Sequence, residues 1–247
     1  MTRKDGSWQD ASIIDTFLTG IRGGIPFAGE LTAVMVRLLR GLDIPLTRFM
    51  DIGCGDGVLA AAIAENFPKA SGTLVDFSGP MLEGARERFK GNNRIRIVEA
   101  DFGDPSWVEK AEHGTPFDAI VSGFAIHHQN DRNKKRIYGE VFSLLAPGGL
   151  FLNIEHVASR SEWAKKMADK LFIGSVLEYN RAKGKEGMSE EAVLDFFNRP
   201  DKDDNQLTPV EVQCEWLREA GFADVDCFFK AFELAVFGGR KPANDSL

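Results

Sequence analysis

The sequence predicts an α/β fold: a largely parallel sheet with helices on both faces and one antiparallel strand near its end. Three observations carry this expectation. From about residue 30 to residue 156, short apolar runs alternate with helical patterns, the rhythm of a parallel sheet wrapped by helices. A glycine-rich turn, Asp51-Ile52-Gly53-Cys54-Gly55-Asp56-Gly57, follows the first run and opens a helix. Two late runs, near 224–230 and 232–238, are joined almost without a loop, which an antiparallel hairpin permits and a parallel crossover does not.

The elements follow in order. Residues 1–40 form an N-terminal helical cap segment with two apolar-periodic stretches, Ile13 to Leu18 and Leu31 to Leu39. Strands are expected at 48–52, 72–76, 94–99, 117–122 and 150–155, with helices near 58–67, 79–90 and 132–146. Gly91 stops one of these helices and Pro147-Gly148-Gly149 another. After the fifth strand the rhythm breaks. Residues 157–206 are polar and helical in pattern, with Ser161 and Ser189 as N-caps, and read as a helical lid insertion. Thr208-Pro209-Val210-Glu211 then reads as a capping box with proline at the first helical position, and Gly221 ends that helix.

Composition bounds the function. The chain has 247 residues, enough for one generous domain or two small ones, and we take 1–247 as one. With 30 Lys plus Arg against 37 Asp plus Glu the net charge is −7, which argues against a nucleic-acid partner. Three cysteines (Cys54, Cys214, Cys227) make no disulfide framework. No apolar run reaches membrane-spanning length and the N-terminus lacks a signal-peptide pattern, so the expectation is a cytoplasmic protein without a membrane partner. Lys134-Lys135-Arg136 reads as a solvated helix face.

The glycine turn has the surroundings a nucleotide-type site requires: strand, loop, helix, then an acid, Asp76, at the end of the next strand, where a carboxylate can accept both ribose hydroxyls. Its spacing is one residue short of the Gly-x-Gly-x-x-Gly of a dinucleotide fold, which disfavours a nicotinamide-dependent oxidoreductase. Two acids around the loop, Asp51 and Asp56, suit a cationic ligand better than a pyrophosphate.

At these residues the chain resembles the class I S-adenosylmethionine-dependent methyltransferases. The resemblance runs from about Arg48 to Glu155 and resumes at the terminal hairpin. It implies a Rossmann-like seven-stranded sheet of order 3-2-1-4-5-7-6 with strand 7 antiparallel. S-adenosylmethionine is the implied cofactor, with S-adenosylhomocysteine as product. The implied cofactor contacts are Asp51, Gly53, Cys54, Gly55 and Gly57 in the loop, with Cys54 as a small filler. To these the resemblance adds Asp76, Phe77 and Met81 at the ribose and adenine, Asp101 and Phe102 at the adenine, and Ser122 and Gly123 in the strand-four motif. Met81 and Phe102 read equally as ordinary core residues. Ser122-Gly123-Phe124-Ala125 stands where nucleic-acid and protein N-methyltransferases often carry Asn or Asp, Pro-Pro and an aromatic, which favours a small-molecule acceptor. Ile21-Arg22-Gly23-Gly24-Ile25-Pro26-Phe27 is similar to a segment of carboxy-S-adenosylmethionine synthases, with Phe27 in place of tyrosine; it sets Arg22 toward the cofactor and Phe27 toward the substrate.

The histidines gather by topology. His127 and His128 follow strand four, and Glu155 and His156 end strand five, at the sheet edge where open α/β folds bind ligands. His127 or His128 is expected to act as general base, and Glu155 and His156 to meet the acceptor; structural capping is the competing reading, and no metal site is expected. Tyr179 and Arg181 in the insertion are expected to face the acceptor pocket, against the alternative of a solvated helix face. The resulting expectation is methyl transfer to O, N or C of a small metabolite. The alternatives are a carboxy-S-adenosylmethionine-synthase-like enzyme or a non-catalytic cofactor-binding regulator. A homodimer is compatible with every one of these readings.

Overall fold

A computed structural model of the chain describes residues 6–111, 114–184, 191 and 205–243. Seven strands make one sheet: β1 (Arg48–Ile52), β2 (Ser71–Asp76), β3 (Ile95–Glu99), β4 (Phe117–Gly123), β5 (Leu145–His156), β6 (Ala223–Ala231) and β7 (Leu234–Arg240). Their order is β3-β2-β1-β4-β5-β7-β6. The pairs among β1 to β5 are parallel, and β7 runs antiparallel to both β5 and β6. This is the expected topology.

Period-two alternation sends each strand's side chains to two separate cores. Met50, Ile120 and Phe151 join the core beneath α5 (Trp107–Ala111), α6 (Asp131–Leu144) and a late helix at Val210–Glu219. Phe49, Val121 and Leu152 face the opposite core, covered by α2 (Ala28–Arg40), α3 (Val58–Asn66) and α4 (Gly79–Arg88). Leu31, Met35 and Leu39, spaced by four, supply the buried stripe of α2. Because β1 and β4 are neighbours whose following helices leave to opposite faces, a crevice opens at their carboxyl ends, the topological switch point.

Local details correct four expectations. The fifth strand begins at Leu145, not 150, and α6 ends at Leu144, because Pro147-Gly148-Gly149 lies within the strand as an irregularity. Gly148 there has φ +79°, and its N–H donates to Lys241 O at 2.9 Å. The expected capping box does not form. Pro209 precedes the helix, no side chain caps it, and the Thr208 hydroxyl instead donates to Asp131 Oδ1 at 2.7 Å. Of the Lys134-Lys135-Arg136 run only Lys135 is exposed, so the solvated-face expectation fails for the other two. Lys134 is fully buried, and its Nζ donates to Thr208 Oγ1 at 2.7 Å and to the Gln206 carbonyl. Arg136 donates to the carbonyls of Phe102 and Gly103. A lysine stem buries readily when its ammonium finds several acceptors, and a charge count along the chain does not reveal them.

The N-terminal segment and the insertion pack on each other. α1 (Ala11–Thr16) continues through a π turn at Phe17–Ile21 and a 3₁₀ turn at Arg22–Gly24. α7 (Glu162–Ala182) starts at the expected cap, where the Ser161 hydroxyl accepts from Ala164 N–H at 3.2 Å. Its Ile173 and Val176 meet Ile21, and Asn180 donates to Gly20 O at 2.9 Å. The contact is close because Gly24 has no side chain: a Cβ there would stand 2.7 Å from Val176 Cα. Ser189 lies outside the described residues. Among the described residues no helix is long and apolar enough to cross a membrane.

Candidate active site

The crevice holds a cavity of about 350 Å³. Its floor is the glycine loop and its roof is the N-terminal segment through Trp8, Phe17 and Arg22. Of the expected cofactor residues, Arg22, Asp51, Gly53, Cys54, Gly55, Asp76, Phe77, Met81, Phe102 and Gly123 line it. Three do not. Gly57 caps α3 with φ +81°, and a Cβ there would meet Phe89 at 2.7 Å. Ser122 is fully buried and donates to Ile52 O at 2.8 Å, tying β4 to β1. Asp101 closes its own turn by accepting from Gly103 N–H at 2.7 Å. These assignments were carried by adjacency to the motif, and none of the three residues lines the cavity.

The loop's electrostatics separate its three acids. Asp56 meets Arg22 Nη1 at 2.5 Å, an ion pair without an aligned N–H···O bond, and Arg88 Nη2 at 2.6 Å. Burial pushes its carboxyl up, but the two guanidinium groups outweigh that and hold it below the ordinary value. Asp56 is therefore already neutralised and is not the cation site the sequence suggested, and Arg22 spends its charge on Asp56. Asp76 is buried; it accepts from Gly55 N–H and from Ser78 N–H, each at 2.8 Å, which fixes both oxygens at the cavity wall. Asp51 differs. Its Oδ2 accepts from Ala60 N–H at 3.2 Å, while its Oδ1 is buried without a hydrogen-bond partner among the described residues. Burial, with Asp76 and Asp56 nearby, pushes its carboxyl up to about 8. Such an atom calls for a positive ligand group. Cys54 is also buried and its thiol is pushed up by burial, so it stands as a filler and not as a thiolate.

A second cavity, about 90 Å³, adjoins the first and shares Trp8, Phe17, Ile25, Phe124 and His128 with it. His127 and His156 line this second space, with Phe172 of α7 and Asn205. His127 Nδ1 lies 2.6 Å from Glu155 Oε1, and the His127 N–H donates to Glu155 Oε2 at 3.0 Å. Glu155 is fully buried, so it orients the imidazole and does not reach an acceptor, correcting its assignment as a substrate contact. Burial pushes its carboxyl up to about 7, offset in part by the His156 N–H and the charge of Lys134. Phe27, Tyr179 and Arg181 also stand outside both cavities. Phe27 caps α2 at φ +58° and packs edge-on to Phe229; Tyr179 lies over Gly23; Arg181 is exposed. The helical period gave their direction on α7 but not which face the N-terminal segment would occupy. Sequence reasoning missed Trp8, Phe124 and Phe172. Only Phe124 had a signal, its place in the strand-four motif, and it takes φ +51° there.

Comparison with known proteins agrees with this geometry. Residues 49–149 match the methyltransferase domain family. The chain is 30% identical over 160 residues to a demethylmenaquinone methyltransferase of Leptospira interrogans, covering 64% of this chain and 63% of that protein. It is 25% identical over 231 residues to a carboxy-S-adenosyl-L-methionine synthase of Aeromonas hydrophila, covering 90% and 86%. An O-methyltransferase family protein from Burkholderia thailandensis superposes with a TM-score of 0.59 at 16% identity, over 87% of this chain and 57% of that one. Over these stretches the chain is similar to S-adenosylmethionine-dependent methyltransferases. It spans less than two thirds of the length of the Leptospira relative.

S-adenosylmethionine is the cofactor that the sequence resemblance implies. The cavity fits it on one decisive point: Asp51, at the cavity wall, has a buried Oδ1 with no hydrogen-bond partner among the described residues, and S-adenosylmethionine carries an ammonium group. Gly55 adds room, because a Cβ there would meet nothing nearer than Met81 Sδ at 3.8 Å. The chain's affinity for S-adenosylhomocysteine should therefore rise with pH. Asp51 is mostly protonated below about 8, and a cation takes its ionised form, so binding releases a proton. Calorimetry between about pH 6 and 8 is expected to show an affinity gain approaching tenfold per unit. The gain is lost in Asp51→Asn; an equal slope in that variant would refute the assignment.

Proposed function

We propose that the chain transfers the sulfonium methyl group of S-adenosylmethionine to an ionisable heteroatom, O or N, of a small-molecule acceptor seated in the histidine cavity. The observation that supports this best is the buried His127–Glu155 pair beside a cavity that opens into the cofactor cavity. Bound S-adenosylmethionine supplies an electrophilic methyl on a positive sulfur. Asp51 holds its ammonium, Asp76 its ribose hydroxyls, and Met81 and Phe102 flank its adenine. Glu155 accepts from His127 Nδ1–H, which leaves Nε2 as the proton acceptor. His127 takes the acceptor's proton as the new bond forms, and His128, which lines both cavities, positions the acceptor. Residues 6–27 and α7 act as the cover that excludes water, with Phe172 of α7 and Asn205 over the acceptor.

The test is a metabolite pool, quinols included, incubated with isotopically labelled methyl donor. Label is expected in one small-molecule product and in no nucleic acid. Label in nucleic acid, or in no pool component, counts against this reading. A second reading, a carboxylated cofactor, is favoured by the similarity to carboxy-S-adenosyl-L-methionine synthases over most of the chain. Mass spectrometry of the co-purified ligand separates the two.

A further inference from the structure

Methyl transfer from a sulfonium to a neutral hydroxyl ends with one proton more than the products can hold, and that proton must leave a covered cavity. The S–CH₃ bond breaks with its electron pair staying on sulfur, the C–O bond forms from an oxygen lone pair, and the hydroxyl proton goes to His127. Glu155 offers no exit, because it is fully buried. His156 does. Its ring lies edge-on to that of His127, centroids 5.8 Å apart, and lines the same cavity. Its Nε2 stands 3.1 Å from Glu233 Oε2, and its side chain is 24% exposed. On the far side of His156 lies a separate crevice of about 20 Å³, between α7 and the β6–β7 turn, lined also by Glu233, Asp169 and Phe232. That is room for a single water molecule.

We infer that His156 and Glu233 form a proton exit that carries the reaction's proton from His127 to solvent beneath α7. This rests on the reading of His127 as the base. His156 takes a proton from the His127 side on Nδ1 and gives the one on Nε2 to Glu233, which releases it to water in the adjoining crevice; both imidazoles return to neutrality, and exchange with water restores the Nε2–H tautomer of His156 for the next turnover. The charged and titratable groups around His156 are Glu155 on its own strand, His127 and His128 across the cavity, Glu233 from the β6–β7 turn, and Asp169 from α7. Asp169 is paired with Lys165 at 2.9 Å. Burial pushes the Glu233 carboxyl up, but its bonds from His156 and from Ser159 N–H outweigh that and keep it ionised, ready to receive.

The experiment uses the full chain, labelled methyl donor and a panel of simple phenols as probe acceptors, with catechol as the reference. His156→Gln and Glu233→Gln are expected to lower kcat by about tenfold or more, less than the roughly 10²–10⁴-fold worth of the base itself, with S-adenosylhomocysteine affinity unchanged. Added imidazole is expected to restore the rate, as a merely structural loss would not allow. Nitrogen-15 spectra of histidine-labelled protein give an independent readout: the Nε2–H tautomer of His156 in the wild type, lost in Glu233→Gln. Wild-type kcat in both variants, with His127→Ala impaired, overturns the exit and leaves the base. A wild-type rate in His127→Ala, or no label in any phenol, removes the base and the exit with it.

Discussion

Gly53→Ala is expected to abolish cofactor binding and to lower the melting temperature of the chain. Gly53 has φ +65°, where a side chain costs about 1–2 kcal/mol. The added Cβ would also stand 2.2 Å from the Ala125 Cβ, an overlap that rigid packing resolves at about 1–3 kcal/mol. The two costs differ in kind, and one variant separates them. Ala125→Gly removes the opposing atom, so the double variant recovers the packing cost but not the backbone one. At about 2–4 °C per kcal/mol for a chain of this size, differential scanning calorimetry resolves both steps. The loop cannot absorb the change by moving: Gly53 N–H donates to Val75 O at 2.7 Å, and Cys54 N–H to the same oxygen at 3.1 Å. A Gly53→Ala protein that bound S-adenosylhomocysteine normally would show that the loop is softer than its hydrogen bonds imply.

The second large effect falls on turnover. His127→Ala is expected to lower kcat by about 10²–10⁴-fold, the usual worth of a positioned base, with cofactor affinity nearly unchanged. His127 lines the histidine cavity and not the cofactor cavity, so the split between kcat and affinity follows from geometry. His128→Ala is expected to act more on acceptor KM, because its ring borders both cavities beside Trp8. Removing His127 also leaves Glu155 buried with fewer donors, so its carboxyl should rise further and the variant should lose some stability as pH increases through that range. Equal turnover of the His127 and His128 variants and the wild type across about pH 6–9 would mean that proximity alone does the work.

Much of this molecule follows from local pattern. Period-two and period-3.6 hydrophobicity located the strands and helices, because each element must bury a face of its own. The tight join at Phe232-Glu233 required an antiparallel hairpin, since no crossover fits there. The loop at Gly53, Gly55 and Gly57 was legible because glycines carry all three of its positive φ angles, and Asp76 because it ends the next strand. Sheet order came from the resemblance and agrees with the observed pairing.

What the chain could not announce lies in contacts between residues far apart in sequence. Asp51 and Asp56 look alike in the loop. Only folding brings Arg22 and Arg88 to Asp56 and leaves Asp51 with a bare oxygen. Lys134 reads as a surface charge until the end of the insertion, more than 70 positions later, supplies its acceptors. Tyr179 and Arg181 sit on a helix whose buried face is set by Ile21 and Gly24, and nothing in α7 itself encodes that partner. Trp8 roofs both cavities because the Trp8 carbonyl accepts from the Ser78 hydroxyl and Gln9 donates to Phe77 O at 2.9 Å. A sequence by itself determines which segments have faces to bury and which turns need glycine, since those are one-body costs. Which charge is paired, which is left for a ligand, and which imidazole reaches solvent are pair properties, and only the tertiary structure decides them.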